Sequence, residues 1–111
     1  MNRYAQIGLT AEAKNGRRIV CVLPRVDTRP TMEAVAALGG EDVSRVCRAN
    51  GAERVDFTSG GSVHFVTGRH SLRGMTADVV FLASERDGND PETVESARLV
   101  VLSTGGGVVR S

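Results

Sequence analysis

Aromatic side chains are scarce in this sequence of 111 residues, which has three phenylalanines, one tyrosine and no tryptophan. Its core must therefore consist mainly of valine, leucine, alanine and isoleucine. Long hydrophobic runs are missing as well, since no apolar stretch approaches the roughly 20 residues of a membrane-spanning helix. The first residues also lack the apolar segment of a signal peptide. We expect a soluble cytoplasmic domain that has no membrane partner.

An excess of charge of one sign is also lacking. Fourteen basic side chains stand against thirteen acidic ones, which gives a net charge of +1, so no overall field attracts nucleic acid or membranes. Lys14 is the only lysine, and the other basic side chains are arginines. Arginine suits bidentate contacts with phosphate or carboxylate groups, but a GC-rich coding sequence produces the same bias. Composition alone therefore predicts no polyanionic partner.

Cysteine is nearly absent. Cys21 falls within an apolar strand pattern and Cys47 within a helix pattern, and their spacing is not typical of a metal site. Both are most simply free thiols in a reducing compartment. The sequence therefore predicts neither a metal nor a cofactor.

What is present suits one globular domain. The chain is 41% hydrophobic and 24% charged, which is ordinary globular composition, and its length fits a single domain over residues 1–111. Periodicity predicts helices at 4–15, 32–38, 41–49 and 92–97, strands at 19–23, 53–58, 62–67, 78–82, 99–102 and 108–110, and loops at 25–31, 68–76 and 86–90. This order predicts a three-layer α/β sandwich with a mainly parallel sheet and a β-hairpin.

The hairpin has the clearest local pattern. Residues 53–58 and 62–67 alternate apolar and polar positions on either side of Ser59-Gly60-Gly61. Alternation places one set of side chains inside the protein, namely Val55, Phe57, Val63 and Phe65. His64 alternates outward, and we expect it to be exposed.

Two basic side chains, Arg25 and Arg29, follow the first predicted strand at its carboxyl end, where open α/β sheets bind their ligands. We expect the loop that carries Arg69 and Arg73 to reach them, and Arg17 and Arg18 precede the same strand. The candidate nucleic-acid-binding residues are Arg25, Arg29, Arg69, His70 and Arg73. Each phosphate that they neutralise would add salt-dependent affinity. The alternative is that these arginines are solvated or paired with acids, the candidates being Asp27, Glu53, Asp56, Glu85 and Asp87.

Two stretches carry a resemblance to a known family. They are GRHSLRGMTADVVFLAS at 68–84, directly after the hairpin, and RLVVLST at 98–104. In this order the chain resembles a reduced P-loop NTPase core of the RecA-like kind, similar to the ATPase part of phage terminase large subunits and of related helicases. The resemblance covers about residues 6–105. It implies a RecA-like fold and a phage origin, and therefore the cytoplasm of a bacterial host.

The same resemblance implies that ATP hydrolysis is lost. The acidic pair that holds the Mg²⁺ shell and orients water in this family would fall on Ala83 and Ser84. Glu85 comes one position late and could replace the pair only if the strand shifts its register. Leu9 stands where the family has its phosphate-binding lysine. We therefore expect no enzymatic activity.

Remnants of a nucleotide-binding site are implied at four positions. Gly8 and Thr10 match the small residues of a P-loop. Ser103 and Thr104 match the Ser-Thr motif that couples nucleotide sensing to DNA contact in helicases and terminases. The alternative for the second pair is that small polar residues commonly end buried strands.

Three functional hypotheses follow. The first is a non-catalytic P-loop-like protein that binds DNA or a nucleoprotein assembly through an arginine-lined edge. The second is a self-assembling or protein-interaction subunit without nucleic-acid binding, in which residues 105–111 add an edge strand to a second copy or to another phage protein. The third is a small enzyme, which would need a nucleophile and a base. The nucleophile candidates, none with an identified partner, are Cys21, Cys47, Ser84 and Ser103.

Overall fold

A mixed sheet of six strands organises the chain. The structure, a computed structural model, describes residues 2–110 apart from the side chains of Arg69, His70 and Glu85. Within this part the strands are β1 Arg18–Val22, β2 Val43–Cys47, β3 Arg54–Phe57, β4 Ser62–Val66, β5 Val79–Leu82 and β6 Gly107–Arg110, and the α-helices are α1 Arg3–Lys14, α2 Arg25–Gly39, α3 Glu85–Asn89 and α4 Pro91–Val101.

The strands follow the order β2-β3-β4-β1-β5-β6 across the sheet. The strand β1 runs parallel to β4 on one side and to β5 on the other, and β6 runs parallel to β5. The β2–β3 and β3–β4 pairs are antiparallel. The expected α/β class and the hairpin are therefore confirmed, whereas the sheet is mixed, with three parallel and two antiparallel pairs.

Helices cover the two faces of the sheet over different strands. On what we call the front face, α1 and α2 pack on β1, β3 and β4, and the core contains Leu9, Met32, Val35, Val55, Phe57, Val63 and Phe65. On the back face, α4 packs on β5 and β6, and the core contains Val20, Val22, Leu72, Val80, Leu82, Ala97 and Val100. The four inward hairpin positions predicted above are all buried in the front core.

Local sequence explains where α1 begins and ends. The side chain of Asn2 accepts a hydrogen bond from the backbone N–H of Ala5 at 2.8 Å, which caps the helix. Lys14 lies in the last turn, where the helix dipole favours a positive charge. Gly16 follows with φ of +86°, a conformation that glycine adopts without strain. The predicted helix at 4–15 is confirmed with small shifts of its ends.

The helix α2 begins at Arg25, whereas the sequence predicted a loop as far as residue 31. Pro30 suggested that loop, but it lies within the helix on its exposed side, where it removes one backbone hydrogen bond. A buried stripe on the opposite side, Thr28, Thr31, Met32 and Val35, packs on the sheet. Burial of this stripe outweighs the local preference of proline.

The predicted helix at 41–49 is wrong, because β2 occupies most of it. Val43 and Val46 are three residues apart, which is a helical spacing, yet both pack against the front core from a strand. The register of β2 shifts against β3 between Val43 and Arg45. Such a bulge turns two side chains three residues apart toward the same face of a sheet.

The predicted strand at 99–102 is also wrong. The helix α4 continues to Val101, far beyond the predicted end at residue 97, and a 3-10 turn follows at Leu102–Thr104. Thr93, Ala97, Val100 and Val101 form a buried stripe at helical spacing. The last strand, β6, lies at Gly107–Arg110, where a short final strand was predicted.

Capping side chains also convert the predicted loop at 86–90 into helix. The Oγ of Ser84 accepts a hydrogen bond from the backbone N–H of Asp87 at 3.2 Å and starts α3. The side chain of Asp90 then accepts from the Oγ1 of Thr93 at 2.6 Å at the start of α4, and Pro91 occupies the first position of that helix.

Two glycine substitutions test this packing. A Cβ at Gly106 would collide with the backbone of Asp78, whereas a Cβ at Gly8 meets no atom within 4 Å. We expect Gly106→Ala to lower the free energy of unfolding by about 1–3 kcal/mol through overpacking. Gly8→Ala should raise it by about 0.5–1 kcal/mol, because alanine is the better helix former. Urea denaturation measures both, and equal effects from the two changes would contradict the described packing.

Candidate functional site

The predicted arginines on α2 are already engaged within the protein. The Nη1 of Arg25 lies 3.9 Å from Oε1 of Glu53, whose side chain is buried. The Nη2 of Arg29 donates a hydrogen bond to the backbone oxygen of Arg48 at 2.8 Å. The two arginines follow the carboxyl end of β1, as predicted, and each of them has a polar partner within the chain.

The predicted basic loop lies on the other face of the sheet. Residues Arg69–Leu72 form a 3-10 turn, and Leu72 is buried in the back core. Arg73 is exposed directly after it, whereas Arg25 and Arg29 belong to a helix that covers the front face. The side chains of Arg69 and His70 lie outside the described residues. The structure therefore does not bring Arg73 together with Arg25 and Arg29.

The four candidate nucleotide-binding residues lie in two separate places. Gly8 and Thr10 are inside α1, where helical hydrogen bonds use the backbone N–H groups that would cradle a phosphate. The Oγ1 of Thr10 donates to the backbone oxygen of Gln6 at 2.7 Å. Ser103 and Thr104 follow a helix rather than a strand, so their assignment to a strand end is wrong.

Thr104 holds two segments of the fold together. Its Oγ1 lies 2.7 Å from the backbone oxygen of Ala77, just before β5, and 3.0 Å from that of Val101. The same oxygen accepts a hydrogen bond from the N–H of Gly106 at 3.2 Å. This network positions the entry to β6.

A different set of polar side chains converges on the back face, where β1, β3 and β4 lie beside one another. They line an open cleft of about 480 Å³. The residues around it are Arg18, Arg54, Asp56, Phe57, Gly60, Gly61, Ser62, His64, Gly74, Met75 and Thr76. We call this site the arginine cleft, after Arg18 and Arg54.

Strand alternation and register place these side chains together. Because Val55 and Val63 point to the front core, the neighbouring Arg54 and His64 point to the back face. Arg54 and His64 are direct partners in the β3–β4 register. On the other side of β4, Arg18 of β1 is the partner of Ser62, two residues before His64. Three adjacent strands therefore contribute one basic side chain each.

Hydrogen bonds hold both arginines in place. The Nε and Nη2 of Arg54 lie 3.2 and 2.8 Å from Oδ2 of Asp56. This hydrogen bond and the charge of Asp56 raise the pKa of Arg54 above its ordinary value. The Nη1 of Arg18 donates to the Oγ1 of Thr76 at 3.2 Å, on the segment that crosses from β4 to β5.

Burial is the main influence on the protonation of His64, and nearby charges add to it. Partial burial lowers the pKa of its imidazole below 6.5, and the charges of Arg54 and Arg18 lower it further. The negative charge of Asp56 acts in the opposite direction but does not reverse the shift. An anion in the cleft would act on His64 in the same direction as Asp56.

The sequence contained part of the signal for this cleft. The alternation that placed Val55 and Val63 inside also placed Arg54, Asp56 and His64 on one side of the hairpin. His64 is half-buried rather than exposed as expected. The contribution of Arg18 depends on the pairing of β1 with β4, two strands about 40 residues apart in the chain, and no local pattern encodes that pairing.

Two of the candidate nucleophiles have structural roles in the described part of the chain. Cys21 is a free thiol in the front core, and burial raises its pKa to about 12, so the reactive thiolate is strongly disfavoured. The Oγ of Ser84 donates to Oδ2 of Asp87 at 2.8 Å as part of a helix cap. Among the described side chains, no group of three or more histidines, cysteines or acids is placed to hold a metal ion.

Comparisons with protein-family models, with curated proteins and with solved structures found no match for this chain. Within residues 2–110, no helix has both the length and the apolar character needed to cross a bilayer. We therefore infer a function from the arrangement of the side chains in the arginine cleft.

Proposed function

We propose that this chain is a non-catalytic module that binds nucleic acid, and that the arginine cleft is its principal contact with the phosphate backbone. The observation that carries the proposal is the convergence of Arg18, Arg54 and His64 on one open surface that has a single carboxylate, Asp56. Guanidinium groups present several donors in a fixed plane, which suits phosphate oxygens.

The recognition we propose is independent of base sequence. Single-stranded nucleic acid is usually bound by stacking its bases on aromatic side chains. Among the described residues the exposed aromatic side chain is Tyr4, which lies on α1 over the front face. Contacts to phosphates position a nucleic acid without reading its sequence, and such contacts match the donors of the cleft.

The proposal keeps the predicted arginine-lined edge only as a set of additional contacts. Arg73 directly precedes Gly74, which lines the cleft, so it is well placed to extend the contact surface. Arg25 and Arg29 would act as a separate, weaker contact on the front side.

The relationship to a reduced P-loop NTPase core is also part of the proposal. It is supported by the hairpin followed by a buried parallel strand, but the helical conformation of residues 98–101 weakens it.

Arginine substitutions with a duplex DNA of mixed sequence test the proposal. We expect Arg18→Ala or Arg54→Ala to weaken binding to unrelated sequences by similar factors, and to reduce the slope of log affinity against log salt by about 1 for each lost phosphate contact. Fluorescence anisotropy at 50–200 mM salt would measure both quantities.

Two controls make this test specific. Arg98→Ala removes the same charge from the exposed side of α4, away from the cleft, and should leave the binding unchanged. The double change Arg54→Ala with Asp56→Ala removes a matched ion pair and keeps the net charge, so a loss of binding in this variant reflects lost contacts rather than a change in net charge. Equal losses in all variants, or binding that does not respond to salt, would contradict the proposal.

A second candidate function, self-assembly, is favoured by one observation on the front face. The strand β6 lies at an end of the described sheet, and Val109 is 40% exposed there. Val109 lines an apolar groove of about 230 Å³ with Val79 and Phe81 of β5 and Leu9 of α1. Edge strands with exposed apolar side chains tend to pair with another chain.

Light scattering of the Val109→Lys variant tests this second candidate. If β6 mediates assembly, the unmodified chain should form a defined oligomer at low and high salt, and an inward-facing lysine at the interface should return it to the monomer mass. The matched control is Leu99→Lys, which alters an exposed residue of α4. A monomer that is indifferent to both changes would exclude assembly through β6.

A further inference from the structure

The size of the arginine cleft limits which part of a nucleic acid it can hold. Its floor is formed by three neighbouring strands, and its walls are the hairpin turn at Gly60 and Gly61 and the crossing segment from Gly74 to Thr76. Adjacent strands lie about 4.8 Å apart, so the strands that carry Arg54 and Arg18 are separated by about 10 Å. This spacing suits a single phosphate group between two long side chains.

We propose that the arginine cleft is a site for a terminal phosphate monoester, held between Arg18 and Arg54 with His64 as a third, protonated donor. This inference rests on the proposed function, because it names the part of the nucleic acid that the cleft recognises. A terminal phosphate has three free oxygens, and each of the three side chains can donate to one of them. An internal phosphodiester offers only two free oxygens.

The balance of charge in the cleft favours the same ligand. With His64 neutral, two guanidinium groups and one carboxylate give the cleft a charge of about +1, and protonation of His64 raises it to about +2. A phosphate monoester carries a charge of about −1.5 to −2 at neutral pH, whereas an internal diester carries about −1. The protonated cleft therefore matches the monoester.

Among the described residues, three charged groups act on the imidazole of His64. Arg54 and Asp56 face it from β3, and Arg18 faces it from β1. The crossing segment contributes the neutral residues Met75 and Thr76, and Arg45 of β2 is the register partner of Asp56. A bound phosphate would weaken the repulsion from Arg54 and Arg18 and would raise the pKa of His64, so binding takes up a proton.

Because binding takes up a proton, the affinity of the cleft for an anion should depend on pH, unlike that of a surface that binds polyanions through arginines alone. A sulfate ion stays fully charged between pH 8 and 5.5, so its affinity for the cleft should rise as the pH falls and His64 becomes protonated. A phosphate monoester has its own pKa near 6, so its affinity should rise at first and then level off. His64→Gln keeps a hydrogen-bonding side chain that does not titrate, and should remove the rise for both ions.

Two measurements on the full chain test this inference. The first follows the imidazole NMR signals during pH titrations with and without inorganic phosphate or sulfate, and the His64→Gln variant assigns the signal of His64. We expect either ion to raise the pKa of His64, and Arg18→Ala to reduce that rise. The second compares one oligonucleotide with a 5′-phosphate or a 5′-hydroxyl end. We expect about tenfold tighter binding of the phosphorylated form, which is what one or two charge-assisted hydrogen bonds contribute.

The outcomes separate this inference from the proposed function. Equal affinity for the two oligonucleotides, with both bindings weakened by Arg18→Ala, would overturn the monoester site while the proposed function stands. A shift of His64 by inorganic phosphate without any binding of oligonucleotide would support the phosphate site and contradict the proposed function. If neither ion shifts His64 and neither oligonucleotide binds, both are overturned. Arg98→Ala is the control for net charge in each measurement.

Discussion

The burial of residues 19–22 of β1 is the constraint on which the rest of the structure depends. Residues Ile19 to Val22 have no exposed surface, so their backbone groups must be satisfied by neighbouring strands. They pair with β4 on one side and β5 on the other, and hydrogen bonds such as Ala83 N–H to the oxygen of Val22 at 2.9 Å extend this pairing beyond the strand ends. A strand buried on both faces requires helices on both sides, which explains the opposite placement of α2 and α4.

The helices cover the two faces unequally, and this inequality creates the two open surfaces of the protein. On the front face, the region over Val79, Phe81 and Val109 is apolar and lies beside α1. On the back face, the region over β3, β4 and the start of β1 is polar and contains the arginine cleft. The cleft costs the fold little, since Arg54 is paired with Asp56 and the backbone N–H of Arg18 donates to Oδ2 of Asp78 at 2.8 Å.

Much of the fold could be predicted from the sequence, because buried strands and an alternating hairpin leave strong local patterns. The three wrong secondary-structure predictions have physical causes. Burial of a helical stripe outweighed the effect of Pro30, and a β-bulge gave Val43 and Val46 a helical spacing. The apolar run at 99–102 was compatible with either a strand or the end of a helix. The cleft was less predictable. Its hairpin half followed from alternation, but the contribution of Arg18 required the pairing of distant strands, and the predicted basic residues were divided between the two faces.

The most direct test of the account is amide chemical-shift mapping of the chain during titration with a short DNA duplex at low salt. The account predicts that the largest changes fall on Arg18, Arg54, His64 and the segment from Gly74 to Thr76, and that they diminish together as salt is added. Changes confined to the start of α2 or to β6, with the cleft unaffected, would contradict it.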